Sequence, residues 1–220
     1  MLPIASILNP ENTFTVPASQ TAAGSADIMS HILEVYFDTR RAAVPDRISE
    51  GLLKTVIQYA PIAVREAENY EARAELMWTS SLAINGTCST GKGCSWSCHP
   101  MEHELSAYYD NTHGLGLAIL TPRWMRYILN EDTVEKFVDY AKNVWGIAES
   151  EDVFETANAG IDATETFLKN LGIPMTLTEL GITEEHFQAM AEHAVIFGGL
   201  LEAYVPLNAK DVEAIYKMCL

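Results

Sequence analysis

From residue 20 onward the apolar residues of this chain recur at helical spacing, and nowhere does a helical stretch alternate with a β-prone one. That pattern excludes a parallel sheet with crossover helices and predicts an all-α body over residues 21–220. Residues 1–20 read differently. Short β-prone runs, Ile4 to Leu8 and Thr13 to Val16, are broken by Pro10 and Pro17 and predict an extended segment leading into the helices. Ser25 is the expected N-cap of the first helix. Pro61 predicts a kink or break in the second, and Asn85-Gly86 a stop to the third. Further helices are expected in PMEHELSAYY, GLGLAILTPRWMRYIL, TVEKFVDYAKNVWG, Asp152 to Leu171, EEHFQAMAEHAVIF and Ala209 to Cys219.

Charge narrows the partners. Thirty acidic residues against fourteen basic ones give a net charge of −16, a field that repels phosphate backbones and anionic membranes. Nucleic acid and lipid are therefore not expected partners. The start, MLPIASIL, lacks the basic region of a secretory signal, and the longest apolar runs, such as 194–201, are too short to span a bilayer. A cytoplasmic location is expected. Cys88, Cys94, Cys98 and Cys219 are too few for a disulfide scaffold, and the Cys94–Cys98–His99 spacing suits neither haem attachment nor a four-cysteine zinc site.

Asp27 and His31 lie four residues apart in the apolar-periodic run ADIMSHILEVYF, so a helix aims both from one face. His99 and His103 repeat the spacing, and His113 follows after a turn. One carboxylate and several imidazoles make an N/O donor set suited to zinc, iron or another first-row divalent metal. Each residue also has a plainer reading. Asp27 in a first helical turn would complement the helix dipole, His31 could sit at a core edge, and His99 beside Pro100 could mark a helix start. His186 and His193, beside Glu185 and Glu192, are expected to face solvent. The stretch from Gly86 to Lys92 imitates a phosphate loop, but Gly93 replaces the hydroxyl residue and a helix precedes it where a strand is required. Gly114-Leu-Gly116 lacks the third glycine of a dinucleotide fingerprint.

TFTVPASQTAAGSADIMSH, HPMEHELSAYYDNTHGLGLAILTPRWMRYIL and the closing PLNAKDVEAIYK resemble the iron-containing alcohol dehydrogenases, in particular their butanol dehydrogenase branch. The resemblance runs end to end. It implies NAD(P)H-dependent interconversion of short-chain alcohols and aldehydes, with Fe2+ expected and Zn2+ acceptable to the same ligands. It carries the metal ligands over to Asp27, His31, His99 and His113, and a non-ligand histidine near nicotinamide and substrate over to His103. Thr13 and Thr15 fall in a segment that touches the dinucleotide in the family.

The family's N-terminal α/β domain, which holds the dinucleotide phosphates, has no counterpart in these residues. The resemblance thus implies the helical metal-binding domain, with residues 1–20 as a remnant connecting segment and the nucleotide domain as a missing partner. The chain alone is expected to bind NAD(P) weakly, to be inactive, and to self-associate through an apolar face that the other domain would cover. Two other classes stay open: a metal-binding fragment without activity, and a helical interaction module whose histidines are structural.

Overall fold

The computed structural model describes residues 4–220, and the described residues form nine α-helices with no β-strand. In order these are α1 (Ala18–Tyr36), α2 (Ala43–Arg65), α3 (Tyr70–Ile84), α4 (Cys98–Tyr109), α5 (His113–Ile128), α6 (Val134–Trp145), α7 (Val153–Asn170), α8 (Phe187–Gly198) and α9 (Ala209–Met218). The all-α expectation holds. The expected extended N-terminal segment holds over residues 5–9, which belong to no helix or turn, but does not continue to Val16. Ile4 to Leu8 forms no strand, because no partner strand exists to satisfy its backbone. Pro10–Thr13 is a single 3-10 turn, started by Asn9, whose side chain accepts from Glu11 N, and closed by Thr13 Oγ1 donating to Pro10 O. Residues 1–3 of that segment lie outside the described residues.

Helix α1 starts at Ala18, directly after Pro17 in an extended conformation, so Ser25 is not its cap. Ser25 instead lies two turns inside and donates its hydroxyl to Thr21 O at 2.7 Å. Pro61 does not break α2. The helix continues to Arg65 and closes with Glu66 N donating to Ile62 O at 2.8 Å.

Helices α1 and α5 are central. Ala22, Ala26, Met29 and Leu33 recur on the buried face of α1, and Leu117, Leu120, Trp124 and Ile128 on that of α5. α1 packs on α2, α3 and α5, while α4 packs on α5 and α8. The contact of α1 with α5 is very close. A Cβ on Gly114 would lie 2.1 Å from Ala23 O, so only glycine lets the start of α5 reach the α1 backbone. Gly116, two residues further on, leaves room for the Glu102 side chain, which a Cβ would meet at 2.7 Å. The two glycines of the incomplete dinucleotide motif thus serve packing.

Lys92, the lysine of the phosphate-loop imitation, is held inside the fold. It donates to Asp46 at 2.6 Å and to Tyr36 O at 3.2 Å, and Lys136 reaches the other Asp46 oxygen at 2.7 Å. This lysine is committed to the fold and is not free to meet a phosphate.

Candidate metal centre

Three helices meet at the predicted cluster. α1 supplies Asp27 and His31 from its third and fourth turns, α4 supplies His99 and His103, and α5 begins with His113. Asp27 is far from the α1 N-terminus, which removes the helix-dipole account of its placement. Asp110 ends α4 in the left-handed region (φ 52°), and the short turn it opens brings His113 back over His99.

Asp27, His99 and His113 each offer one ligand atom, and these atoms all lie within 4.8 Å of one another. Asp27 Oδ1 is 3.4 Å from His99 Nε2 and 3.7 Å from His113 Nε2. Asp27 Oδ1 and His99 Nε2 are buried and neither makes a hydrogen bond. Two buried polar atoms left facing each other would be costly in a finished site, and a cation between them would satisfy both. His31 sits beside this group. Its ring centroid is 4.3 Å from that of His99, and its Nδ1 lies 2.9 Å from Asp27 O and 3.0 Å from Asp27 Oδ1. With Nδ1 held there, Nε2 is left as the nitrogen for a ligand role.

His103 lies outside the group. It is exposed and stacks on His113, centroids 5.5 Å apart. Thr13 and Thr15 are not brought to the cluster. They lie in the turn ahead of α1, Thr13 with its hydroxyl spent on Pro10 O and Thr15 exposed.

Two buried carboxylates complete the arrangement, and sequence reasoning missed both. Glu34 pairs with His99 Nδ1, while its other oxygen accepts from Ser97 N at 2.6 Å and Cys98 N at 2.7 Å, so one carboxylate holds the ring and the start of α4. Glu102, fully buried, pairs with His113 Nδ1 and accepts from Ser106 Oγ at 2.7 Å. Holding Nδ1 on a carboxylate fixes the tautomer and aims Nε2 at the shared point, as outer partners do around bound metals. The signals were present: Glu34 interrupts HILEVYF two turns after Asp27, and Glu102 stands three residues after His99.

Electrostatics follows from this packing. Burial opposes the Asp27 charge, but the His31, His99 and His113 imidazoles outweigh it and hold the carboxyl well below the usual range. Burial alone would lower His99, yet Asp27 and Glu34 raise it to about 9. Glu102 raises His113. The remaining histidines differ. His193 is exposed and pairs with Glu104 at 2.6 Å, whereas His186 is half-buried against Tyr108 and Tyr109.

Residues 21–220 match the family described as Fe-containing alcohol dehydrogenase, C-terminal, and the chain belongs to that family. It is 55% identical over 219 residues to NADH-dependent butanol dehydrogenase A of Clostridium acetobutylicum, covering 99% of this chain and 56% of that protein. It is 36% identical over 192 residues to an NADPH-dependent aldehyde reductase of Escherichia coli, covering 86% of this chain and 48% of that one. The crystal structure of NADH-dependent butanol dehydrogenase A from Thermotoga maritima superposes with a TM-score of 0.91 at 35% identity, covering 99% of this chain and 56% of that one. The chain thus spans about half the length of the relatives it matches. Among the described residues no helix is long and apolar enough to cross a membrane.

Proposed function

We propose that these residues form the metal-binding part of an NAD(P)H-dependent dehydrogenase interconverting short-chain primary alcohols, butanol-like, and their aldehydes. The supporting observation is the convergence of Asp27 Oδ1 and His99 Nε2, buried and without hydrogen bonds, beside His113 Nε2. Asp27, His31, His99 and His113 would hold Fe2+ or Zn2+. When bound, that ion supplies Lewis-acid polarisation of the alcohol or carbonyl oxygen, and the nicotinamide carries the hydride. Glu34 and Glu102 keep the two imidazoles aimed. His103, exposed beside His113, positions the nicotinamide or exchanges a proton with solvent through its imidazole.

The same residues favour dependence on a separate nucleotide-binding part. Lys92 is committed to Asp46, and Gly114 and Gly116 to close packing, so neither glycine stretch offers phosphates a cradle. Residues 1–220 alone therefore bind NAD(P) weakly and turn over little alcohol. Exposed Ile196, Phe197 and Leu201 support an apolar face that is covered by that part or by a second copy.

Metal content tests the reading. After chelation and reloading with ferrous or zinc ion, the chain should hold one equivalent. His99→Ala and His113→Ala should lose it, and His186→Ala should keep it. Equal metal in all three variants would refute the ligand assignment. Fusion behind the unmatched N-terminal part of the C. acetobutylicum relative should give NAD(P)H-dependent reduction of butanal. Robust turnover by the unfused chain would overturn the dependence.

A further inference from the structure

The segment that carries His99 is held by Glu34 and, independently, by the end of α8. Gly198 is the last residue of α8, and Gly199 closes that helix in the left-handed region (φ 68°). A Cβ on Gly198 would lie 2.3 Å from Pro100 Cβ and 2.9 Å from Pro100 Cγ. A Cβ on Gly199 would meet Ser95 Oγ at 3.0 Å, and Ser95 N donates to Glu202 O at 3.2 Å. The corner that ends α8 thus touches the chain both before and after His99, at Ser95 and at Pro100.

The two contacts differ in how far they yield. Ser95 Oγ is the tip of a side chain that can rotate away. Pro100 has no such freedom, because its ring closes on its own backbone nitrogen and fixes φ, and it stands in the first turn of α4 directly after His99. Crowding at Gly198 is therefore passed to the backbone of that turn. The same turn is bonded to Glu34 through Ser97 N and Cys98 N, and Glu34 also holds the His99 ring. A retreat from α8 either strains these bonds or carries the imidazole with it. His99 Nε2, buried without a hydrogen bond and 3.4 Å from Asp27 Oδ1, is the atom whose place then changes.

We infer that Gly198 is a positioning residue for the metal centre. By letting the Pro100 ring lie against α8 with no side chain between them, it sets where the start of α4 stops, and so where His99 Nε2 stands relative to Asp27 and His113. The inference rests on the metal-binding reading above and deepens it.

The test uses the 220-residue chain with two readouts: zinc affinity by competition with a chromogenic chelator, and the visible spectrum of the Co2+ complex, which reports ligand geometry. Gly198→Ala should weaken zinc binding at least about tenfold and alter the cobalt bands. Gly160→Ala is the control for crowding alone. Its Cβ would lie 2.9 Å from Ala141 Cβ, between α7 and α6, so it should lower melting and leave both site readouts unchanged. Pro100→Gly removes the two closest atoms and leaves Pro100 Cα at 3.6 Å, an ordinary contact. Combined with Gly198→Ala, it should restore zinc affinity above that of Gly198→Ala alone. If Gly198→Ala does not fold, the double variant carries the test: recovery of a folded, zinc-binding chain supports the inference, and failure to recover overturns it. Wild-type zinc affinity and cobalt spectrum in folded Gly198→Ala would overturn it while leaving the metal reading intact, as would a double variant that binds zinc no better than Gly198→Ala. A folded wild-type chain that takes up neither zinc nor cobalt would defeat the metal reading and the inference together.

Discussion

Gly114→Ala separates close packing from helix propensity by the sign of its effect. In a helix, alanine is better than glycine by up to about 1 kcal/mol, so an unobstructed site gains stability. At Gly114 the new methyl would lie 2.1 Å from Ala23 O and 2.6 Å from Ala23 C, where ordinary contact begins near 3.4 Å. The obstacle is backbone, which cannot rotate away, so the start of α5 must retreat from α1 by about an ångström. Overpacking of this kind costs roughly 1–3 kcal/mol, and for a chain of this length melting should fall by about 3–10 °C. His113 is the adjacent residue and Asp27 lies one turn beyond Ala23, so the same retreat separates two donors. Metal sites tolerate only a few tenths of an ångström in ligand distance, and zinc affinity should drop at least about 100-fold. Gly51, inside α2 with nothing within 4 Å of an added methyl, is the control, and Gly51→Ala should raise melting by a few degrees. Calorimetric melting with chelator and zinc titration read both effects. Unchanged or higher stability in Gly114→Ala, with unchanged zinc affinity, would refute the account of α1 against α5.

Glu34→Gln should keep the fold's shape but weaken zinc binding about 10–100-fold, because the His99 ring loses the carboxylate on its Nδ1; competition with a chromogenic chelator measures this. His103→Ala should retain a full equivalent of metal by elemental analysis while lowering turnover in the fusion, and loss of metal would place His103 among the ligands. The metal-free chain should lose stability as pH rises from about 6.5 toward about 9, because folded His99 retains a proton that the unfolded chain has released. Asp27 contributes in the opposite direction, stabilising above its ordinary carboxylate range and losing that contribution as pH falls. Zinc affinity should climb over the interval in which apo stability declines, since the ion must displace the His99 proton. Melts with and without zinc from about pH 5 to about pH 9.5 check both, and parallel curves would count against them.

The helices were legible because their buried faces repeat at helical spacing, as in Ala22, Ala26, Met29 and Leu33 of α1. The start of α1 was not, because Ser25 has the chemistry of a cap and only the backbone shows it bonded inside the helix to Thr21 O. Asp27, His31, His99 and His113 could be named from spacing and resemblance, yet their convergence depends on Gly114 and on the Asp110 turn, whose effects are spatial. Glu34 and Glu102 were hidden for a related reason. An isolated glutamate in a helical run ordinarily faces solvent, and only the approach of the first turn of α4 to α1, or the packing of α4 on α5, buries it against an imidazole.

Glu34 joins two events that are usually separate. Its oxygens hold the His99 ring and the first backbone N–H groups of α4, so the first turn of that helix and the imidazole it carries open together. Helix ends fray far more often than whole domains unfold, with local opening free energies well below the global value. Exchange of an ion held at His99, as proposed above, would then be timed by the breathing of one helical turn. Amide protons at Cys98 and His99 would keep the same clock as metal release.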